Sequence, residues 1–321
     1  MQHWYTDLLA AGAGAGVAAG FGAPMSGVLF AVETMLLNPT ARRNAAAAQA
    51  AGAATAAPTP PTHTARMPQQ NASQDEDDEG LQLASVLVAC VFGAMISQAG
   101  LGDEPAFAVP KAVPFKFLEV PFCVAVGIAC GATSATLAAA SRSTGQAFAQ
   151  LRATGIPPAL MPPIGGLACG SLAMICPEIT YQGFENVNAL LKLTEMPMSG
   201  FSVPTIGVIV LFKIVATATC RSSGLVGGVY APAIFIGAAV GAGFWLSTST
   251  AAAMSGVVLS SPEMYSLVGA AAMLAAFCRV PLTAILLLFE LTQDYTVILP
   301  ALASVGFARW SSAAAGRYLR S

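Results

Sequence analysis

Charged side chains are scarce in this chain of 321 residues: Asp, Glu, Lys and Arg together make up 9% of it, whereas hydrophobic residues make up 55%. A soluble domain has about 25% charged residues, so these few could not cover a water-facing surface. The uncharged runs are long and include residues 8–32, 80–102, 120–141, 153–177 and 222–262. Because roughly 20 apolar residues suffice to span a bilayer, we predict an all-α, multi-pass membrane protein.

Residues that usually build catalytic or metal sites are also few. The two histidines, His3 and His63, have no partner at ligand spacing, and the seven cysteines (positions 90, 123, 130, 169, 176, 220 and 278) contain no C-x-x-C pair. We interpret these cysteines as small buried hydrophobes rather than metal ligands or disulfides. Without a nucleophile–base arrangement or a phosphate loop, we predict no enzyme activity and no cofactor. A net charge of −2 offers no basic surface for nucleic acid.

Large apolar residues are almost missing between residues 38 and 80, a stretch rich in Ala, Thr, Pro and Gln that ends in the acidic run 75–79. Such a composition cannot bury a core. We therefore predict membrane helices at 1–37, a disordered, solvated insertion at 38–80 and a further transmembrane region at 81–321. Phosphoregulation or partner binding by the insertion is the alternative.

One ten-residue pattern occurs twice, as PMSGVLFAVE at 24–33 and as PLTAILLLFE at 281–290. Proline suits the first helical turn, and corresponding broken segments in two halves of a membrane protein indicate a repeat, often an inverted one. A chance match is the alternative. Each copy ends in a glutamate, Glu33 or Glu290. An ionisable residue in a spanning segment is usually paired or functional; we favour a structural role over a proton or gating role.

A glycine-rich break precedes an apolar helix in SSGLVGGVYAPAIFIGAAVGAGFW, residues 222–245. Gly224, Gly227 and Gly228 allow turns and close approach, and the helix starts near Pro232. The first amides of a helix lack internal acceptors and carry about half a positive charge. Inside a membrane they can hold an anion without Lys or Arg, whose full charge would slow release. The alternative is a break tolerated for helix packing.

Three long segments resemble motifs of the CLC family of chloride channels and chloride/proton antiporters. GLVGGVYAPAIFIGAAVG resembles the family's G-x-x-G-G-x-F-x-P…G-A-x-x-G motif. AAGAGAGVAAGFGAPMSGVLFAVE and AAMLAAFCRVPLTAILLLFELTQDYTVILP resemble two further family segments, and YQGFENV resembles a short family loop. The segments follow the family's order and cover nearly the whole chain outside 38–80.

The resemblance implies an all-helical fold of two inverted halves, built from short, tilted and broken transmembrane helices. It implies a homodimer in the lipid bilayer, with 24–33 and 281–290 at the interface and one anion pathway per subunit. It also implies chloride bound by the main-chain amides of Val229 and Tyr230, with Tyr318 as a candidate pore tyrosine. We therefore predict voltage-gated chloride channel-like transport of chloride or another small anion.

The chain also departs from the family's pattern. The G-S-G-I-P and G-K/R-E-G-P motifs are absent and would lie before Met1, so we interpret the chain as a member whose first part is missing. Tyr230 replaces the usual Phe, and Thr34 stands where antiporter members carry a second glutamate, so we expect no simple proton relay there. Anion/proton antiport remains an alternative mode. Further alternatives are a truncated, transport-incompetent subunit that acts as a dimer or assembly partner, and an unrelated transporter.

Overall fold

The computed structural model describes residues 2–36, 72–102, 119–180, 202–225, 227–254 and 259–318. Within these ranges every regular element is a helix. Among the described residues, six segments are long and apolar enough to cross a membrane: Leu81–Gly100, Val120–Ala153, Pro158–Ile175, Val203–Ser223, Tyr230–Ser249 and Tyr295–Tyr318. These spans confirm the predicted class of multi-pass, all-α membrane protein.

Proline marks the start of many of the helices. It occupies one of the first two positions in α2, α4, α5, α6, α8 and α9, where its missing N–H has no helical acceptor to lose. The α-helices are α1 Gln2–Phe21, α2 Pro24–Ala31, α3 Ala72–Leu101, α4 Val120–Ala153, α5 Met161–Ile175, α6 Val203–Ser223, α7 Tyr230–Met254, α8 Pro262–Cys278, α9 Pro281–Thr292 and α10 Ile298–Tyr318.

The first of two compact units, Met1–Ala106, contains α1, α2 and α3. Its helices cross at small residues. A Cβ added to Gly14 would lie 2.8 Å from the carbonyl oxygen of Gly27 and 2.9 Å from Sγ of Cys90. Because that space is already filled, small side chains set the distance between these helices, as is usual in membranes.

Helix α3 begins inside the stretch predicted to be a disordered insertion. The helix begins at Ala72, so 72–80 is helical, and α3 packs with α1 and α2 rather than belonging to the region that follows. Residues 38–71, the remainder of the predicted disordered insertion, lie outside the described residues, as does residue 37.

The two copies of the ten-residue pattern have the same local geometry. Before each copy, the chain turns through a left-handed residue, Gly22 at φ 64° and Arg279 at φ 65°. The helix-capping residues that follow also agree, with φ/ψ of −123°/78° at Ala23 and −122°/70° at Val280. Buried positions coincide as well: Ser26 and Thr283, Gly27 and Ala284, Ala31 and Leu288. This agreement supports a structural repeat over a chance match.

The second unit, Phe107–Ser321, is built around α8, in which every residue from 262 to 276 is buried. Helix α7 crosses α8 with backbone against backbone. A Cβ on Gly241 would overlap the carbonyl oxygen of Tyr265, and a Cβ on Gly269 would overlap that of Gly237. Glycine at these positions therefore fixes where α7 lies on α8.

A buried carboxylate joins the starts of α4 and α8. Glu119 is 1% exposed and accepts hydrogen bonds from the Ser260 amide (2.9 Å), the Ser260 hydroxyl (2.8 Å) and the Tyr265 hydroxyl (3.1 Å). The Trp245 indole donates to the Ser260 carbonyl oxygen at 2.9 Å, which adds α7 to the same junction. Three donors on one carboxylate make this a satisfied buried polar network.

Replacing Glu119 with alanine is expected to destabilise the second unit, because three buried donors lose their acceptor. Buried unsatisfied groups cost about 1–3 kcal/mol each, so a total loss of roughly 3 kcal/mol corresponds to a Tm lower by roughly 6–12 °C. Thermal unfolding in detergent measures this shift. Glu119→Gln keeps one acceptor oxygen, so its loss of stability should be about half that of Glu119→Ala. Equal Tm values for the wild type and both variants would contradict the role of the carboxylate.

Candidate functional site

The break after α6 turns at one glycine. Gly224 has φ 93° and ψ 8° and caps the helix in the left-handed region, which glycine adopts without the steric cost that other residues meet. Gly227 and Gly228 have no such φ, and a Cβ at either would meet no described atom within 4 Å. The expectation that all three glycines serve tight turns therefore applies to Gly224, whereas the other two leave open space before α7.

Helix α7 begins as an ordinary helix N-terminus. The Ala233 amide donates to the Val229 carbonyl oxygen at 3.1 Å. In a regular helix the amides of the first turn have no acceptor inside the helix itself, and Pro232 has no N–H. No acidic residue lies in the first turn. The start of α7 thus carries the positive end of the helix dipole.

A cavity of about 510 Å³ reaches this first turn. Its wall includes Gly227 and Gly228 from the loop and Pro232 from α7, together with residues of α5 and α6. Val229 and Tyr230 are half-buried between those wall positions and are not themselves part of the wall. Residues of the cavity wall therefore lie directly before and shortly after the predicted anion-binding residues in the sequence.

A buried cation forms part of the same wall. Lys213 is 4% exposed; its Nζ donates to the Ile179 carbonyl oxygen at 2.8 Å and lies 5.1 Å from the ring centroid of Phe235. We expect from the sequence that an anion site needs no Lys or Arg; the structure nevertheless has Lys213 on the wall of this cavity. The missed signal is in the sequence, where Lys213 interrupts the otherwise uncharged run 202–220. A lone ionisable residue in a spanning segment is a functional candidate by default.

The other polar groups on the wall add a second cation. Arg221 is exposed, and its guanidinium lies 5.7 Å from the ring centroid of Phe277. Thr180 and Thr217 each donate their hydroxyl hydrogen to a backbone carbonyl one turn earlier. No Asp or Glu belongs to the described wall. Two basic residues without an acidic one make this cavity attractive to anions.

Four other predicted residues are not among those that line the cavity. Glu33 and Thr34 belong to the first unit, in the π-helical turn Val32–Leu36, and Thr34 Oγ1 donates to the Phe30 carbonyl oxygen at 2.6 Å. Glu290 is half-buried in α9, and Tyr318 is 88% exposed in the last turn of α10. Neither Glu290 nor Tyr318 lines the cavity. The loop YQGFENV lies outside the described residues.

Comparison with known proteins agrees with the architecture. The helices described above form a multi-pass membrane protein, and the family model described as voltage gated chloride channel matches residues 4–72 and 79–313. The chain belongs to this voltage-gated chloride channel family, known as CLC.

Individual relatives and structures give the same result. The chain is 38% identical to chloride channel protein CLC-e of Arabidopsis thaliana over 95% of this chain and 39% of that protein. It is 36% identical to chloride channel protein CLC-f of the same plant, over 94% of this chain and 35% of that protein. The fold matches the crystal structure of a slow cyanobacterial Cl⁻/H⁺ antiporter with a TM-score of 0.68 at 24% identity, covering 98% of this chain and 65% of that one. The chain thus spans about two fifths of the length of these curated relatives.

Proposed function

We propose that this chain binds chloride or another small anion at the start of α7 and contributes to anion transport across a membrane. The observation that carries the proposal is that the cavity reaches the first turn of α7, through Gly228 and Pro232, and that its described wall holds Lys213 and Arg221 and no carboxylate. Amides at a helix N-terminus are suited to anions. The names of the relatives, which are chloride channels, support the same substrate class.

The proposed binding mode is weak enough for release. The amides of Val229 and Tyr230 replace part of the hydration shell of the anion with fixed partial charges. The Lys213 ammonium is already bonded to the Ile179 carbonyl oxygen, so it raises the potential of the cavity without being the direct ligand. Partial charges close by and a full charge further away favour entry while keeping the anion exchangeable, as conduction requires.

For the mode of transport we propose channel-like anion flow rather than a proton relay through Thr34. A threonine hydroxyl does not titrate in the physiological range, and that of Thr34 is bonded to the preceding turn of its own helix. If the protein is an antiporter, a chloride gradient across the membrane of reconstituted liposomes drives proton movement. If flow is channel-like, the same gradient drives no proton movement.

We further propose that the chain works as a homodimer through the repeated segments. Met25 and Leu282 occupy the same position of the ten-residue pattern and are 61% and 54% exposed. Equivalent exposed apolar side chains on both copies suit a lipid or subunit contact. Assembly without transport is the second candidate function, favoured by the same exposed apolar side chains of Met25 and Leu282.

Purified chain reconstituted in liposomes is expected to release chloride and nitrate when a shunt for positive charge is supplied. Tyr230→Ala should lower the apparent anion affinity by about threefold or less, because the amides that bind the anion belong to the main chain. Ion-selective electrodes measure the flux. Tyr295→Ala, at a tyrosine that is 76% exposed and does not line the cavity, serves as the matched control.

Two outcomes would revise the proposal. Folded protein that passes neither chloride nor nitrate would contradict transport by this chain and leave the assembly role. Complete loss of flux in folded Tyr230→Ala would show that the phenol, rather than the amides, carries the site.

A further inference from the structure

Two cysteines from different helices meet on the cavity wall. Cys169 in α5 and Cys220 in α6 have their sulfur atoms 3.1 Å apart; both are free thiols and half-buried. Both line the same cavity as Gly228 and Pro232. Their sequence separation of 51 residues hides this proximity, which the interpretation of the cysteines as small buried hydrophobes did not include.

The packing of α5 on α6 brings the two sulfur atoms close together. Cys169 Sγ also lies 3.4 Å from the carbonyl oxygen of Ala216, which precedes Cys220 by one turn of α6. Cys169 therefore rests against the face of α6 that carries Cys220. A disulfide has an S–S length of about 2.05 Å, so the two sulfur atoms need to approach by only about 1 Å.

We propose that Cys169 and Cys220 form a redox-sensitive thiol pair, which a low-molecular-weight disulfide oxidises to an intramolecular bond between α5 and α6. The two thiols are on a cavity wall and partly exposed, so a small oxidant reaches them without unfolding the helices. Thiol pairs of this kind are labile or regulatory when they are accessible.

The reaction balances without any further reagent. One protein thiolate attacks a sulfur atom of the small disulfide, forms a mixed disulfide and releases the first small thiolate. The second protein thiolate then attacks the protein sulfur of the mixed disulfide and releases the second. The protein loses two electrons and two protons, and the small disulfide becomes two thiols.

The bond would change the cavity beside the start of α7. Cys220 lies in the last turn of α6, four residues before the left-handed Gly224, so a bond to α5 fixes the end of α6 and the turn that follows. We therefore infer that oxidation slows anion entry. This consequence rests on the proposed transport function, whereas the thiol pair itself does not.

The pair is tested on the full chain treated with oxidised glutathione, blocked with N-ethylmaleimide and digested without reductant. Mass spectrometry is expected to show a peptide that links Cys169 to Cys220, lighter than the two reduced peptides together by two hydrogen atoms. The link should disappear in Cys220→Ser and persist in Cys176→Ser. Cys176 is a matched control because its Sγ donates to Glu178 Oε2 at 3.2 Å rather than lying against a second thiol.

Maleimide on both cysteines after oxidation would overturn the proposal, as would a glutathione adduct that persists on one of them. In liposomes, oxidation should lower anion flux at least threefold, and dithiothreitol should restore it. In Cys220→Ser the ratio of the flux before oxidation to the flux after it should be one. A ratio of one in wild-type protein that carries the link would overturn the effect on anion entry. Absence of flux in both redox states would count against transport, while the linked peptide would still decide on the thiol pair.

Discussion

Replacing Gly241 with leucine is expected to prevent the second unit from folding, so that no monodisperse protein is recovered from detergent extracts. A Cβ at this position would overlap the carbonyl oxygen of Tyr265 and lie 2.7 Å from its carbonyl carbon and 3.0 Å from Cα of Ser266. All three atoms are backbone, so no side chain can rotate away. Overpacking costs roughly 1–3 kcal/mol even where neighbours can adjust, and here α7 and α8 must separate.

The consequence extends to the anion site because α7 is one continuous helix. Eleven residues at about 1.5 Å each place Gly241 roughly 16 Å from Tyr230 along the axis. A wedge at the crossing therefore tilts the first turn of α7 away from its present place. Gly241→Ala should give a milder form of the same defect, with a Tm several degrees lower.

Gly243 provides the control on the same helix. A Cβ at Gly243 would meet Cγ2 of Ile206 at 3.4 Å, an ordinary contact, so Gly243→Ala should leave the yield and the Tm nearly unchanged. If Gly241→Ala and Gly243→Ala change the yield and the Tm equally, the close contact between the α7 and α8 backbones does not make Gly241 necessary.

The local pattern of the fold was accessible from the sequence. The repeated segments begin with proline, and α2 and α9 begin at Pro24 and Pro281. Proline is tolerated in the first turn of a helix but disrupts the helix interior. The uncharged runs likewise indicated spanning helices, since the thickness of a bilayer sets their length. Both signals lie within the sequence of a single helix.

Contacts between distant helices were not accessible in this way. Cys169 and Cys220, and Gly241 and Tyr265, meet because α5 packs on α6 and α7 packs on α8. Periodicity does not specify these crossings, since α7 and α8 are apolar on all sides and no stripe marks the facing residues. Lys213 was missed for a different reason: helix-start amides alone explained an anion site, so no cation was sought.

Replacing Lys213 with methionine is expected to weaken anion binding by roughly 10- to 20-fold while leaving the fold intact. A sphere of 510 Å³ is roughly 10 Å across. A unit charge at that distance, with an effective dielectric constant of about 20, is worth ~1.7 kcal/mol to an anion, and about 1.4 kcal/mol corresponds to a factor of ten. Methionine keeps a long, unbranched apolar side chain, so the change removes the charge and little volume.

The chloride dependence of flux measures the effect, with Arg152→Met as control. Arg152 is exposed in the last turn of α4 and does not line the cavity, so its loss should leave the dependence unchanged. Because Lys213 also donates to the Ile179 carbonyl oxygen, a structural role predicts a lower Tm at unchanged anion affinity. An electrostatic role predicts the reverse, with affinity partly restored in Lys213→Arg. If Lys213→Arg restores anion affinity and the Tm does not change, the buried ammonium contributes to the anion pathway. If folded Lys213→Met shows the same chloride dependence as wild type, it does not.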